Sequence, residues 1–150
     1  MNAVDLIVED EAWNAVDGKT RLAETAIAAA CAELSERAPG VVAILLTGDE
    51  AVAGLNTTFR HKDGPTNVLS FPAGEHADNH LGDIALAAGV VAREACERGI
   101  GMDDHLRHLI IHGFLHLQGY DHIDDADAAI MEDIERRALA RLDVADPYES

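Results

Sequence analysis

Aromatic side chains are scarce in this chain: they make up 4% of its 150 residues, although hydrophobic residues as a whole reach 48%. A core can therefore be built, but mostly from Ala, Val, Leu and Ile. No apolar run approaches the roughly 20 residues needed to cross a bilayer. The opening residues MNAVDLIVEDE also lack the basic segment and apolar stretch of a secretory leader. These absences point away from a membrane and towards the cytoplasm. Cysteine is nearly missing: Cys31 and Cys96 lie far apart, each inside a predicted helix, as two reduced thiols rather than a disulfide framework. Positive charge is short as well. Eleven Lys and Arg face 28 Asp and Glu, for a formal net charge of -17. That balance argues against general binding to a nucleic-acid backbone, which rests on Lys and Arg displacing counterions. The acid gathers at Glu9, Asp10 and Glu11 and again through Asp124, Asp125, Asp127, Glu132, Asp133 and Glu135. The segment from Arg60 to Lys62 is one of the few places where positive charges sit together, which limits where a polyanion can dock.

The length suits a single domain over residues 1–150. Alternation in AVDLIVE (3–9) predicts a first strand, and the acidic, glycine-containing stretch from Asp10 to Gly18 predicts a turn. Helical spacing of Leu22, Ala26, Ile27, Ala30, Cys31 and Leu34 predicts a helix from Thr20 to Arg37, closed by Pro39-Gly40. VVAILLT (41–47) reads as a buried strand, and residues 49–60 return to helical spacing through Val52, Leu55 and Phe59. After the polar loop HKDGPTN, two strands are predicted at 68–73 and 82–88. Helices follow at 88–99 and 103–118, and a last one from Asp124 to about Leu142 has an acidic first turn. The fold class is α+β: a small mixed four-stranded sheet with surrounding helices.

The chemistry concentrates in HLIIHGFLHLQGYDH, residues 108–122. At about 100° per residue, His112 and His116 share one helix face one turn apart. Two imidazoles at that spacing can converge on one ion with nitrogens about 2.0–2.1 Å from it. A straight helix carries the next turn away, so a third ligand needs a chain reversal. Gly119 supplies one, because glycine accepts positive φ at a helix C-terminus, and His122 can then return to the ion. A lone buried histidine is usually just a packed side chain, and two at this spacing can arise by chance among eight. Three with a glycine break describe a metal site, and an open fourth position describes a catalytic zinc centre, one ion per chain, rather than a structural one. His108, one turn before His112, lies on the same stripe, either as a supporting partner or as an ordinary helix-face residue. The motif is close to the metzincin pattern H-E-x-x-H-x-x-G-x-x-H and makes 103–118 a zincin-like metal helix. However, Gly113 stands where those proteases carry the glutamate that takes a proton from zinc-bound water. A metalloprotease is thereby disfavoured.

Two segments together resemble the YbeY family of bacterial metal-dependent endoribonucleases. HGFLHLQGYDH (112–122) matches the family's metal motif, and LNTTFRHKDGPTNVLSFP (55–72) matches its central segment; LGDI (81–84) and the closing DPY (146–148) also fit. The resemblance implies His112, His116 and His122 as zinc ligands and Arg60 as a functionally important arginine facing the substrate. It also implies action in maturation of ribosomal RNA, notably the 3′ end of the small-subunit RNA, and in ribosome quality control. The expected partners are thus single-stranded regions of rRNA and the small subunit or its proteins. The chemistry of Arg60 agrees, since a planar guanidinium can hold a phosphate bidentately, and Lys62 can add a second charge. The nucleophile is left open between metal-activated water and the RNA 2′-hydroxyl. Asp63, Thr66 and Asn67 are expected to shape their loop around Gly64-Pro65. Asp83 is a candidate to orient a metal-bound imidazole, Asp121 a candidate to hold the turn. Ser70 either faces the cleft or completes a hydrogen bond, and His61, His76 and His80 are expected at the surface. The alternative function is a ribosome assembly factor with a mainly structural zinc and weak nuclease activity, which the acidic composition suits.

Overall fold

A computed structural model describes residues 2–74 and 78–148. The expected four strands form one sheet: β1 (Val4–Val8), β2 (Val41–Thr47), β3 (Val68–Pro72) and β4 (His80–Ala87), in the order β1-β2-β4-β3. β1 pairs with β2, and β2 with β4, in parallel, whereas β3 runs antiparallel to β4 along the edge. The α+β class with a small mixed sheet therefore holds. Parallel pairs require a crossover, and α1 (Lys19–Ala32) supplies the one from β1 to β2. α2 (Asp49–Arg60) follows β2, and α3 (Ala88–Arg98) continues directly from β4. α4 (Met102–Leu117) and α5 (Asp125–Arg141) complete the chain.

Period-2 geometry sorts the side chains of the sheet. Val42, Ile44, Leu46, Ile84 and Leu86 face α1, α4 and α5 and make the main core with Trp13, Ile27, Ile110, Ile111, Phe114 and Leu115. Each large side chain buried in this way contributes about 1.5–3 kcal/mol. Leu69, Phe71 and Ala87 instead join Val52 and Leu55 in a smaller cluster under α2. β3 is thus an edge strand with α2 on one side and α4 on the other.

Most boundaries fall within a residue or two of the sequence reading, and three differences bear on the fold. The first helix stops at Ala32 rather than Arg37. Leu34 still packs on the core, but from the turn that follows, so apolar spacing outlasts the helix. The stretch from Asp10 to Gly18 contains a short 3-10 helix, Glu11–Ala15, that buries Trp13 completely, its indole N–H donating to the Thr47 carbonyl at 2.8 Å. β4 begins two residues early, at His80. No helix among the described residues is long and apolar enough to cross a membrane.

Candidate metal centre

α4 is buried almost all round. Over residues 108–117 only His112 and His116 escape full burial. Gly113 explains how the helix comes so close to the sheet: a Cβ there would lie 3.0 Å from the Ile84 methyl and 3.1 Å from Ser70 Oγ. Ser70 Oγ in turn donates to the Gly113 carbonyl at 3.1 Å. A side chain at position 113 would therefore crowd Ile84 and Ser70.

The helix ends as its sequence predicts. Gly119 takes φ +96°, Gly119 N–H donates to the His116 carbonyl and Tyr120 N–H to the Leu115 carbonyl, both at 3.0 Å. This C-terminal motif satisfies the last carbonyls and reverses the chain. His122 returns, with its own N–H held by Asp121 Oδ1 at 2.7 Å. Ligand atoms of His112, His116 and His122 all lie within 4.8 Å of one another. His112 Nε2 and His116 Nε2 are 3.1 Å apart. Two nitrogens bound tetrahedrally to one zinc would be separated by about 3.4 Å, so the His112–His116 pair fits an ion with a shift of a few tenths of an ångström, and His122 lies within reach of the same ion.

The tautomer of His116 is fixed by what lies behind its ring. His116 Nδ1 is 3.0 Å from the Tyr120 carbonyl, to which it can only donate, so Nε2 keeps its lone pair for the metal. Burial, together with the charges of His112 and His122, lowers the pKa of His116, which favours this neutral form. His112 Nδ1 lies 3.4 Å from Glu135 Oε1. Glu135 is 1% exposed and also accepts from His108 Nε2 at 2.7 Å and from the Tyr148 hydroxyl at 2.9 Å. Burial opposes ionisation of Glu135, but the hydrogen bonds from His108 and His112 outweigh it and hold the carboxyl down at about 2. Burial and the adjacent Glu135 carboxylate push the Tyr148 hydroxyl upward, so it remains a donor.

Across from the three histidines, Arg60 and Lys62 line the same cleft of about 580 Å³, with Ser70 and Asn67 on its wall. Arg60 is the last residue of α2, and His61 ends that helix in the left-handed conformation, φ 55°. The loop beyond is pinned from beneath. Asn56 Nδ2 donates to the Gly64 carbonyl at 2.9 Å, and Asn67 donates to Glu94 at 3.0 Å. Asn67 and the residues around Gly64 thus shape the loop that follows Arg60 and carries Lys62.

The structure brings Arg60, Lys62, His112, His116 and His122 to one cleft, and places His108 behind it, on Glu135. It does not bring Asp83 there: its carboxylate is bonded to His80 at 2.9 Å, because both sit at the open start of β4. Asp83 has an imidazole partner, but not one of the three. His61 is exposed and His80 only partly so, while His76 lies outside the described residues. Sequence reasoning missed Glu135 and Tyr148. Their signal was present: Glu135 shares the apolar stripe of Met131, Ile134 and Ala138 on α5. An acid on such a stripe must have a partner to be tolerated.

A family model described as Endoribonuclease YbeY matches residues 8–143. Among curated relatives, "Endoribonuclease YbeY" of Maricaulis maris is 74% identical over 148 residues, covering 99% of this chain and 92% of the relative. The protein of the same name from Methylocella silvestris is 45% identical, covering 97% and 85%. The solution structure of TM1509 from Thermotoga maritima shares the fold with a TM-score of 0.57, at 23% identity over the whole of both chains.

Proposed function

This chain belongs to the YbeY endoribonuclease family, and from that premise we propose that it is a zinc-dependent, single-strand-specific endoribonuclease of ribosomal RNA maturation. Its target is the 3′ end of the small-subunit RNA, its wider role ribosome quality control in the cytoplasm, and residues 1–150 act as one nuclease domain. The observation that carries the reading is the shared cleft: Arg60 and Lys62 on one wall, His112, His116 and His122 on the other. A guanidinium facing a metal site suits a phosphodiester, which offers a bidentate anion where a peptide bond offers none.

The three imidazoles would hold zinc through the nitrogens that face the cleft, and zinc bound there supplies a Lewis acid beside the scissile phosphate. Arg60 grips the non-bridging oxygens and offsets the charge that builds on them in the transition state. Lys62 adds attraction at longer range. The Tyr120 carbonyl keeps the ring of His116 from turning. Among the described lining residues of the cleft, Asp121 is the one acid, so the site is locally cationic within a chain of net charge -17. Metal content and RNA cleavage of wild type, Arg60→Ala and His116→Ala test the reading. Arg60→Ala should keep about one zinc and lose cleavage, and equal cleavage by that variant would overturn the phosphate role.

The acid balance favours a second reading, an assembly factor that docks on ribosomal proteins and whose zinc is mainly structural. Ribosome binding that persists in a folded His116→Ala protein supports that alternative, and loss of binding counts against it.

A further inference from the structure

Two of the three histidines sit on α4, and each turns Nδ1 away from the cleft to an oxygen. For His116 the oxygen is the main-chain carbonyl of Tyr120, supplied by the helix end itself. For His112 it is a side chain from another helix, Glu135 of α5, 3.4 Å away. A carboxylate at 1% exposure is costly unless hydrogen-bonded from several sides. Here the extra donors come from His108 and from Tyr148, in the closing DPY segment.

That segment is docked rather than loose. Tyr148 N–H donates to Asp146 Oδ1 at 2.8 Å, and Asp146 pairs with Arg136 at 3.0 Å. The Arg136 guanidinium lies 5.6 Å from the Tyr148 ring centre, and that ring meets His108 edge-on at 5.6 Å. His112, Glu135 and Tyr148 border a common cavity of about 270 Å³. The tail thus reaches the back of the metal centre through one shared oxygen.

We propose that Glu135, clamped by His108 and Tyr148, is a positioning residue that fixes the tautomer and orientation of His112, making residues 146–148 a working part of the metal centre. The inference rests on the zinc reading above, but one of its observables does not: in the metal-free protein, His112 carries its proton on Nδ1, towards Glu135. A network that merely glues α5 to α4 allows the same tautomer but predicts unchanged zinc affinity when Glu135 is replaced in a folded protein.

The test combines histidine 15N NMR of metal-free protein with zinc affinity by chelator competition, on wild type, Glu135→Gln, Glu135→Asp and Tyr148→Phe. The expected result is an Nδ1–H tautomer at His112 that is lost in Glu135→Gln. Zinc affinity should fall about 10–100-fold in the same variant. Glu135→Asp should recover part of that loss, and Tyr148→Phe, measured under conditions where it remains folded, should weaken zinc severalfold. A wild-type His112 protonated on Nε2, or unchanged zinc affinity in folded Glu135→Gln, overturns the proposal. If Glu135→Gln does not fold, the wild-type tautomer and Tyr148→Phe decide. If wild type binds no zinc, the zinc reading fails, while a His112 proton found on Nε2 separately overturns the positioning role.

Discussion

On the first half of α4, His105 and His108 are buried, and each gives Nε2 to a carboxylate: Glu94 at 2.9 Å and Glu135 at 2.7 Å. On the second half, His112 and His116 do the reverse. Their Nδ1 atoms face Glu135 and the Tyr120 carbonyl, and their Nε2 atoms face each other across 3.1 Å. All four lie on one stripe of one helix, with consecutive ring centres 4.6–6.4 Å apart. The use of a histidine is therefore decided by which nitrogen its surroundings occupy. Once Nε2 is bonded inside the core, the ring is a structural post. Once Nδ1 is bonded behind, the ring is a ligand.

The sharpest way to break this comparison is to remove one ring from each half. His116→Ala should weaken zinc on the order of 10³-fold, since one of three ligands carries several kcal/mol of metal binding, and RNA cleavage should vanish with it. Chelation of the wild type should have the same effect on cleavage, reversed by added zinc. Arg60→Ala comes next, with cleavage down about 10²–10³-fold and zinc content unchanged, which separates the metal wall of the cleft from the phosphate wall. Gly113→Glu tests the boundary between the halves. It should destabilise the fold by about 3 kcal/mol in a denaturant titration, through overpacking and a buried carboxylate, and create no peptidase.

His105→Gln is the counterpart of His116→Ala. Stability should drop by about 1–2 kcal/mol, with zinc affinity within twofold of wild type. A large loss of zinc affinity would show that the buried half also serves the site. The smallest effect is on pH dependence. Burial lowers the pKa of His105 below its usual 6.5, while Glu94 accepts its N–H. As pH falls below 6.5, the unfolded chain takes up this proton before the folded one. The contribution is therefore intact above about 6.5 and is lost as pH falls through the lowered folded value. Metal-free His105→Gln should show a shallower decline of stability with acid than wild type.

Much of this was legible in the chain because the patterns are local. The run 41–47, the break at Gly119 and the spacing of His112, His116 and His122 each follow from neighbours within one turn or strand. The strand expected at 68–73 and the helix at 49–60 are legible for the same reason. What escaped depends on contacts distant in sequence. Glu135 reads as one more acid in an acid-rich helix until His108, 27 residues earlier, is placed against it. Tyr148 gains its meaning from that same carboxylate. Trp13 is hidden in a polar stretch because its burial comes from Thr47, 34 residues on. Asp83 looked suited to a metal-bound imidazole, but His80, three residues away, takes its carboxylate.

The most direct test of the opposed use of nitrogens is a titration of one equivalent of zinc into metal-free protein labelled with 15N at histidine. The Nε2 signals of His112 and His116 and one ring nitrogen of His122 should move together and saturate at one zinc per chain, while both nitrogens of His105 stay in place. Saturation without a shift at His116 Nε2, or a shift at His105 as large as that at His112, would contradict that opposed use.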